Sequence, residues 1–247
     1  GDALAARWAQ IGQGLPLNWV LQRRQPDGPA SRPVTELMAG SVPEPHVVTE
    51  DGAHYRVNVL KGQNRGLFLD MAEGRRWVRQ HAQGTKVLNL FAYTCAFSVA
   101  ALQGGAREVV NLDMAQSALT NGQQNHQLNG FNARAKFLAH DLFKSWGKVN
   151  RLGPYDLVIM DPPSYQKGSF VAGKDWPRLL RRLPDLLKPG GRALICLNAP
   201  EIPESVLREQ LAQEAPDLVV EQRLPNPPVF ADVSPDRALK VLVARMP

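Results

Sequence analysis

The segment from Lys86 to Ala96, KVLNLFAYTCA, constrains the fold more than any other part of the chain. Residues 87–91 are mostly apolar, which is typical of a central parallel strand that is covered on both faces. We expect Thr94 to cap the helix that follows, and this helix to end at the pair Gly104 and Gly105. A strand, a tight loop and a helix in this order predict an α/β fold.

The loop in this segment is the first candidate for a cofactor site, because ligands of such sheets bind at the carboxyl ends of the strands. Loops that hold a pyrophosphate need glycines so that backbone N–H groups can approach the phosphate oxygens. This loop has none, so the sequence disfavours NAD or ATP. A nucleoside without phosphate, such as S-adenosylmethionine, is favoured, and its predicted contacts are Phe91, Ala92, Tyr93, Thr94 and Cys95.

Composition sets the outer limits. With 247 residues, of which 44% are hydrophobic, the chain is long enough to bury a full core as one large domain or as a domain with an appendage. The two cysteines, Cys95 and Cys196, have neither a metal-binding nor a disulfide spacing, so we expect no metal and a reducing cytoplasm. No apolar run approaches the ~20 residues of a membrane span, and no signal peptide is evident. These features predict a soluble, cytoplasmic protein.

The charge favours an anionic partner. The net charge is +6 and the pI is about 9.5, and nucleic acid is the common partner of such proteins. The basic residues are spread along the chain and form no tail, so each small group is also explained as a solvated surface.

The first 60 residues predict a small β-rich appendage, and residues 61–247 predict the main domain. The appendage is expected to contain a helix at 2–10, a strand at 18–24 and a long connection at 26–45 that is rich in Pro, Gly and Ser. Asp51-Gly52 between two β-prone runs predicts a hairpin. Such an appendage guides a substrate or covers a sheet edge.

Asp70 has two explanations. It is placed to cap a helix over 71–80, in which Trp77 and Val78 face inward and the arginines face solvent. It also lies close in sequence to the cofactor loop, where its carboxylate is a candidate partner for the amino group of a ligand. The sequence leaves both explanations open.

Two further carboxylates end predicted strands. EVVNLD ends at Asp113, about 20 residues beyond the loop, a position that suits hydrogen bonds to both ribose hydroxyls. AKFLAHD ends at Asp141, which is a candidate for the exocyclic amine of adenine. Capping of the following helix explains either residue alone, but two at successive strand ends favour ligand contact. The adjacent Met114 and Leu142 are included in the predicted cofactor site.

The second informative motif is YDLVIMDPPSY, residues 155–165. Its apolar run predicts another central strand, which leads into Asp161, Pro162 and Pro163. Prolines remove backbone donors, so this strand end is rich in acceptors and suits a base amine, with Tyr165 available to stack on the base. A proline turn that merely ends a strand is the alternative.

The rest of the chain completes a seven-stranded sheet. The patterns predict a helix at 175–187, a turn at 188–191, a strand at 192–198 and a helix at 203–215. Strands at 218–224 and 238–246 flank a Pro-rich loop and are expected to form an antiparallel pair.

Taken together, VLNLFAYTCAFSVAALQGGA, VVNLD, DLVIMDPPSY and LLKPGG resemble class I S-adenosylmethionine-dependent methyltransferases. The similarity is strongest to bacterial enzymes that modify large-subunit ribosomal RNA at cytosine carbon-5 or guanine nitrogen-7, and it covers about residues 56–200. It implies a Rossmann-like seven-stranded sheet with an antiparallel last strand, and RNA as the partner. It also implies cofactor contacts at Asn89, the 91–95 loop, Asp113, Asp141 and Asp161. Cys95 departs from the pattern, which has glycine there.

The resemblance leaves the acceptor atom open. Methylation of cytosine carbon-5 requires activation by a cysteine thiolate, which in the related enzymes follows the strand after the Gly-Gly turn. Here Cys196 falls within that strand and Asn198 lies nearer the expected position. We therefore expect Cys196 to be a core residue and a nitrogen to be the acceptor. A small-molecule or protein methyltransferase on the same fold is the alternative, since fold does not fix the substrate.

Overall fold

The computed structural model describes residues 2–12, 14–23, 34–61, 65–166, 170–232, 234 and 236–247. The chain divides into two compact units. The smaller unit comprises residues 1–49 and 55–67, and the larger comprises residues 50–54 and 68–247.

The smaller unit begins with helix α1 (Asp2–Ile11) and strand β1 (Trp19–Arg23). β1 pairs antiparallel with β2 (Val34–Ala39). β2 lies within the stretch for which the sequence predicted only a connection, so that prediction was wrong for residues 34–39. The strand forms through pairing with β1 and has an irregular burial pattern, which is why no period of two marks it in the sequence. Residues 26–33 of the predicted connection lie outside the described part.

The predicted hairpin is confirmed. Strands β3 (His46–Glu50) and β4 (Ala53–Val57) form a two-stranded sheet. Asp51 and Gly52 join them with φ angles of 50° and 82°, the left-handed pair that a tight hairpin turn requires. The tip of this hairpin, residues 50–54, belongs to the larger unit.

The larger unit alternates helices and strands. Its helices are α2 (Ala72–His81), α3 (Ala96–Gln103), α4 (Gln116–Leu128), α5 (Trp146–Leu152), α6 (Ala172–Leu180), α7 (Leu183–Leu186) and α8 (Glu204–Glu214). Its strands are β5 (Lys86–Leu90), β6 (Glu108–Asp113), β7 (Ala135–Ala139), β8 (Tyr155–Met160), β9 (Tyr165–Gln166), β10 (Phe170–Val171), β11 (Leu187–Leu197), β12 (Val219–Leu224) and β13 (Lys240–Arg245). Short 3₁₀ turns cover Leu69–Met71, Asn132–Arg134, Leu142–Lys144 and Pro228–Phe230.

Seven of these strands form one sheet in the order β12-β13-β11-β8-β5-β6-β7. β7, β6, β5, β8 and β11 run parallel, and β13 runs antiparallel to both β11 and β12. This topology confirms the predicted Rossmann-like sheet with its antiparallel last strand. Leu90 pairs with both Leu112 and Met160, so the loops after β5, β6 and β8 leave the sheet side by side.

The sheet is covered on both faces, as the apolar run in β5 predicts. Leu88 and Leu90 pack into a cluster that includes residues of α5 to α8. Val87 points to the opposite face, into a cluster built from α2 and α3. The predicted helix over 175–187 is two helices, α6 and α7, and α6 begins at Ala172. The two-residue strands β9 and β10 were not predicted.

The start of α2 corrects two predictions. Residues Leu69–Met71 form a 3₁₀ turn, α2 begins at Ala72, and its N-cap residue is Met71 without a side-chain cap. Asp70 is therefore not the helix cap. Arg75 was expected in solvent but is buried, because its guanidinium bonds both carboxylate oxygens of Glu50 at 2.6 and 2.7 Å.

This buried ion pair generates a stability prediction. Glu50→Gln removes the charge that compensates Arg75, whose side chain is 4% exposed, so we expect a loss of about 3 kcal/mol in unfolding free energy. The matched control is Glu73→Gln, which removes the partner of Arg76 in a pair that is about one-third exposed and should cost below ~1 kcal/mol. Urea denaturation measures both, and equal losses would contradict the structural role of the Glu50–Arg75 pair.

Candidate active site

The loop after β5 has an unusual backbone. Phe91, Tyr93 and Cys95 have φ angles of 56°, 47° and 61°, in the left-handed region that glycine normally occupies. Two backbone hydrogen bonds hold the loop, from Ala92 N to Leu112 O at 3.0 Å and from Cys95 N to Ala92 O at 2.7 Å. A loop without glycine therefore adopts a glycine-like conformation.

The N-cap of α3 differs from its prediction. Cys95, not Thr94, is the N-cap residue, and no side chain caps the helix. Thr94 is buried within the loop, and its carbonyl accepts a hydrogen bond from Asn125 Nδ2 at 3.0 Å. The helix ends at Gly104, and Gly105 has a φ of 86°, as predicted.

Asp113 ends β6 beside this loop. One carboxylate oxygen accepts the backbone N–H of Tyr93 at 2.8 Å, and the other accepts that of Ala115 at 2.8 Å. Each oxygen keeps a second lone pair for a ligand hydroxyl. The neighbouring Met114 is 47% exposed. The carboxylate thus fixes the loop and also presents acceptors at the strand end.

Asn89 lies beneath the loop. Its side chain is buried in β5 and donates to Asn111 Oδ1 at 2.9 Å. Asn111 in turn donates to Ser98 Oγ at 3.0 Å, and Ser98 meets His126 Nε2 at 2.8 Å. Burial lowers the pKa of His126, so the imidazole is neutral at pH 7. This chain of buried hydrogen bonds links β5 and β6 to α3 and α4 behind the loop.

Asp141 lies two residues beyond the end of β7. It caps the 3₁₀ turn Leu142–Lys144 by accepting the N–H of Phe143 at 2.9 Å. Leu142 is buried in the core cluster. The capping and ligand-binding explanations remain compatible, because the second oxygen of Asp141, which lies 3.5 Å from the ammonium of Lys144, can also accept a hydrogen bond from a ligand.

Asp161 follows β8 directly and is the most perturbed carboxyl group of the site. Desolvation and the nearby charge of Asp70 raise its pKa to about 7, against the opposing effect of the Arg75 guanidinium. Asp70 and Asp161 are therefore close enough to repel one another. Such a pair of carboxylates favours a cationic ligand between them.

The Asp-Pro-Pro segment leads into α6. Pro162 is buried and Pro163 is partly buried, and Ser164 O accepts the N–H of Ala172 at 3.0 Å. Tyr165 lies in β9, paired with Val171. The structure does not describe the side chain of Tyr165, so the stacking of its ring on a base stays a prediction.

Cys196 lies inside β11, fully buried, and pairs with Val241 of β13. Burial raises the pKa of its thiol well above the usual range, and the charges of Asp161 and Asp70 add to the effect. Asn198 follows the strand and is exposed. The strand register assumed for Cys196 and Asn198 is therefore confirmed, and the thiol is a core group.

Several residues of the site region were missed by sequence reasoning. These are the buried or supporting polar groups Glu50, Arg75, Ser98, Asn111, Asn125 and His126. Asn111 lies in the apolar run of β6 and Ser98 in that of α3, so a polar residue inside an apolar pattern was an available signal. No local sequence pattern marks Glu50 and Arg75 as partners, because two residues 25 positions apart are brought together only when the chain folds.

Comparisons with known proteins identify the family of this chain. The family of S-adenosylmethionine-dependent methyltransferases matches residues 3–245. The chain is 38% identical over 170 residues to ribosomal RNA large subunit methyltransferase K/L of Psychrobacter sp. (strain PRwf-1), covering 66% of this chain and 21% of that protein. It is 32% identical over 187 residues to ribosomal RNA large subunit methyltransferase I of Aeromonas salmonicida (strain A449), covering 73% and 47%.

A solved methyltransferase in complex with SAH superposes with a TM-score of 0.87 at 26% identity, over 99% of this chain and 65% of that one. The fold and the family match together define a methyltransferase. The chain belongs to the S-adenosylmethionine-dependent methyltransferase family, which makes S-adenosylmethionine its cofactor. It spans less than half the length of the two ribosomal RNA enzymes.

Among the described residues, no helix is long and apolar enough to cross a membrane. Within the same residues no three His, Cys, Asp or Glu side chains are grouped to hold a metal ion.

The contact between Cys95 and α4 generates a second prediction. A Cβ added at Gly122 falls 2.5 Å from Cys95 Sγ and 3.1 Å from its Cβ. We expect Gly122→Ala to cost about 1–3 kcal/mol by overpacking. Cys95→Gly removes the obstructing side chain and relieves the positive φ, so the double variant should recover most of the loss. Thermal and urea unfolding of the four proteins measure the coupling, and strictly additive effects would contradict it.

Proposed function

We propose that this chain is the catalytic part of an RNA methyltransferase that modifies a base of ribosomal RNA, with a nitrogen as the methyl acceptor. Support for RNA comes from the two relatives, whose names give large-subunit ribosomal RNA as their substrate. The net charge of +6 agrees with a polyanionic partner. Because the chain spans only part of each relative, the substrate is a proposal for this chain.

Each polar group of the cofactor has a candidate partner among the residues at the strand ends. Asp113 retains acceptor capacity for a ribose diol, and Asp141 retains it for an adenine amine. The repelling carboxylates of Asp70 and Asp161 suit the positive end of the amino acid moiety and the sulfonium. The loop from Phe91 to Cys95 lies between these groups in the order of the strands. Asn89, buried in β5 just before the loop, donates to Asn111 of β6.

The observation that carries the proposal is the position of Asp161, which directly follows β8 next to the end of β5. Its carboxylate accepts a hydrogen bond from an N–H of the target base and so orients the nitrogen lone pair. Pro162 and Pro163 have no backbone N–H, so acceptors dominate this part of the site. S-adenosylmethionine, when bound, supplies an electrophilic methyl group. With a pKa of about 7, Asp161 is also suited to receive the proton that an N–H nitrogen releases on methylation.

The buried thiol supports nitrogen over carbon-5. Attack on cytosine carbon-6 requires a thiolate that reaches the base. Cys196 is fully buried in β11, and its raised pKa keeps it protonated. The exposed residue beyond that strand is Asn198, which is no nucleophile.

The raised pKa of Asp161 predicts the pH dependence. A carboxylic acid loses its ionised form as pH falls through its pKa, so initial rates at subsaturating RNA should rise with pH and level off above about 7. Asp70→Asn removes the repelling charge, so the midpoint should move to lower pH. Rates of tritiated methyl transfer to unmodified large-subunit rRNA measure this. Asp217→Asn, at an exposed position, is the control, and an unmoved midpoint in Asp70→Asn would refute the coupling.

The acceptor atom is tested separately. Cys196→Ala should keep methyl transfer within a few-fold of the wild type, because no covalent adduct to the base is formed. Nuclease digestion and mass spectrometry of the product should identify an N-methylated base. A covalent protein–RNA adduct on 5-fluorocytidine RNA, abolished by Cys196→Ala, would instead establish carbon-5 chemistry. Methylation of small molecules or proteins with RNA left unmodified would overturn the RNA substrate itself.

A further inference from the structure

Two segments that leave the candidate site carry most of the net charge. Residues 141–151 contain two lysines and an arginine against one aspartate, and residues 172–182 contain one lysine and three arginines against one aspartate. Together they contribute +5 of the total +6. The first segment starts at Asp141, and the second is tied to Ser164 through Ala172 N. Each segment therefore begins beside the strand ends and carries a net positive charge.

The two segments are joined by cation–π contacts. The Arg178 guanidinium lies over the Phe143 ring at 4.1 Å, and that of Arg182 lies over the Trp146 ring at 5.5 Å. The two rings meet edge to face at 6.4 Å. Because an aromatic face holds each guanidinium, less side-chain freedom is lost when its N–H groups bind an anion.

These cations remain accessible. The side chains of Arg178, Arg182 and Lys144 are 52%, 43% and 84% exposed. Lys148, also exposed, donates to His140 Nε2 at 2.7 Å. Within the described residues, Lys144, Arg178 and Arg182 each form an ion pair with one carboxylate. The Arg182–Asp185 pair is long, at 3.7 Å. Donors thus remain free for an external ligand.

We propose that Lys144 and Lys148, together with Arg178 and Arg182, which lie over the rings of Phe143 and Trp146, form the surface that binds the phosphates of single-stranded RNA next to the target base. This inference rests on the proposed function and adds where the RNA backbone lies. Guanidinium forks match phosphate oxygens in two hydrogen bonds. A strand bound on these cations delivers a splayed base toward Asp161, because the first residue of α6, Ala172, is hydrogen-bonded to Ser164 O, next to the Asp-Pro-Pro segment.

The test removes positive charge from this surface. Lys144 pairs with Asp141 of the site, but at 3.5 Å and with its side chain 84% exposed this ion pair is weak. Arg178 is left intact, because it bonds Asp175, which holds Val171 N at 2.9 Å. The variant is Lys144→Gln/Lys148→Gln/Arg182→Gln. The control is Arg208→Gln on α8, whose side chain is 43% exposed like that of Arg182 and which also has an acidic partner, Glu204. The probe is a fluorescein-labelled mixed-sequence RNA longer than the ~4–16 nucleotides of a single-strand site.

Anisotropy titrations over a range of NaCl concentrations give the affinity and its salt slope. Loss of three phosphate contacts should weaken binding at least ~10-fold at low salt and reduce the slope of log K against log salt by about 2. Calorimetry should show unchanged S-adenosylmethionine affinity, which excludes a folding defect. The Arg208 variant should bind RNA like the wild type.

Failure of the inference is distinguishable from failure of the proposed function. A triple variant that binds and methylates RNA like the wild type would overturn the surface and leave the RNA substrate standing. A wild-type protein that neither binds nor methylates RNA would overturn both. Binding of polyglutamate in preference to RNA, lost in the triple variant, would assign the surface to an acidic protein and also refute the proposal.

Discussion

The hydrogen bond from Tyr93 N to Asp113 Oδ2 is the interaction on which the site depends. The loop visits the left-handed region at three side-chain-bearing residues, and each such residue costs about 1–2 kcal/mol. In this conformation the N–H groups of Tyr93 and Ala92 find partners on Asp113 and on Leu112 O. The strain is therefore compensated by the neighbouring strand, as is common at functional sites.

The loop is also supported from behind. Asn125 holds Thr94 O, and Asn129 exchanges two hydrogen bonds with the backbone of His54 in the hairpin tip. The tip is further joined to α2 by Glu50 and to α3 by Gln103, which donates to Asp51 O. Each buried polar group along this path is satisfied by another, so the loop, α4 and the tip form one connected hydrogen-bonded structure.

The sequence predicted the sheet well and the polar supports poorly. β5, β6 and β8 were found because central strands must be apolar on both faces, a requirement that is visible locally. β2 and the Glu50–Arg75 pair depend on partners far along the chain, which no local pattern encodes. The caps were misplaced for a related reason. Asp70 and Thr94 have suitable side chains, yet the 3₁₀ turn and the left-handed Cys95 fix where α2 and α3 begin.

The absence of glycine from the loop does not by itself explain the preference for a cofactor without phosphates. It predicted a cofactor without phosphates by assuming that residues with side chains keep the backbone away from the ligand. Phe91, Tyr93 and Cys95 instead adopt the conformation that glycine would allow. The cofactor is better explained by charge, because the strand ends offer the carboxylates of Asp113, Asp141 and Asp161. A diphosphate would be repelled by them, whereas a cationic nucleoside is attracted.

This charge distribution also separates cofactor from substrate. Strand ends that carry carboxylates cannot by themselves attract a polyanion, so attraction for RNA must come from a surface beside them. On the proposed surface, Arg178 of α6 and Arg182 just beyond the end of α6 supply that positive charge, each over an aromatic ring. With a pKa of about 7, Asp161 is only partly ionised at pH 7, and this weakens the repulsion that an approaching phosphate would meet. The same burial that sets the protonation of Asp161 therefore also lowers the electrostatic cost of bringing RNA to it.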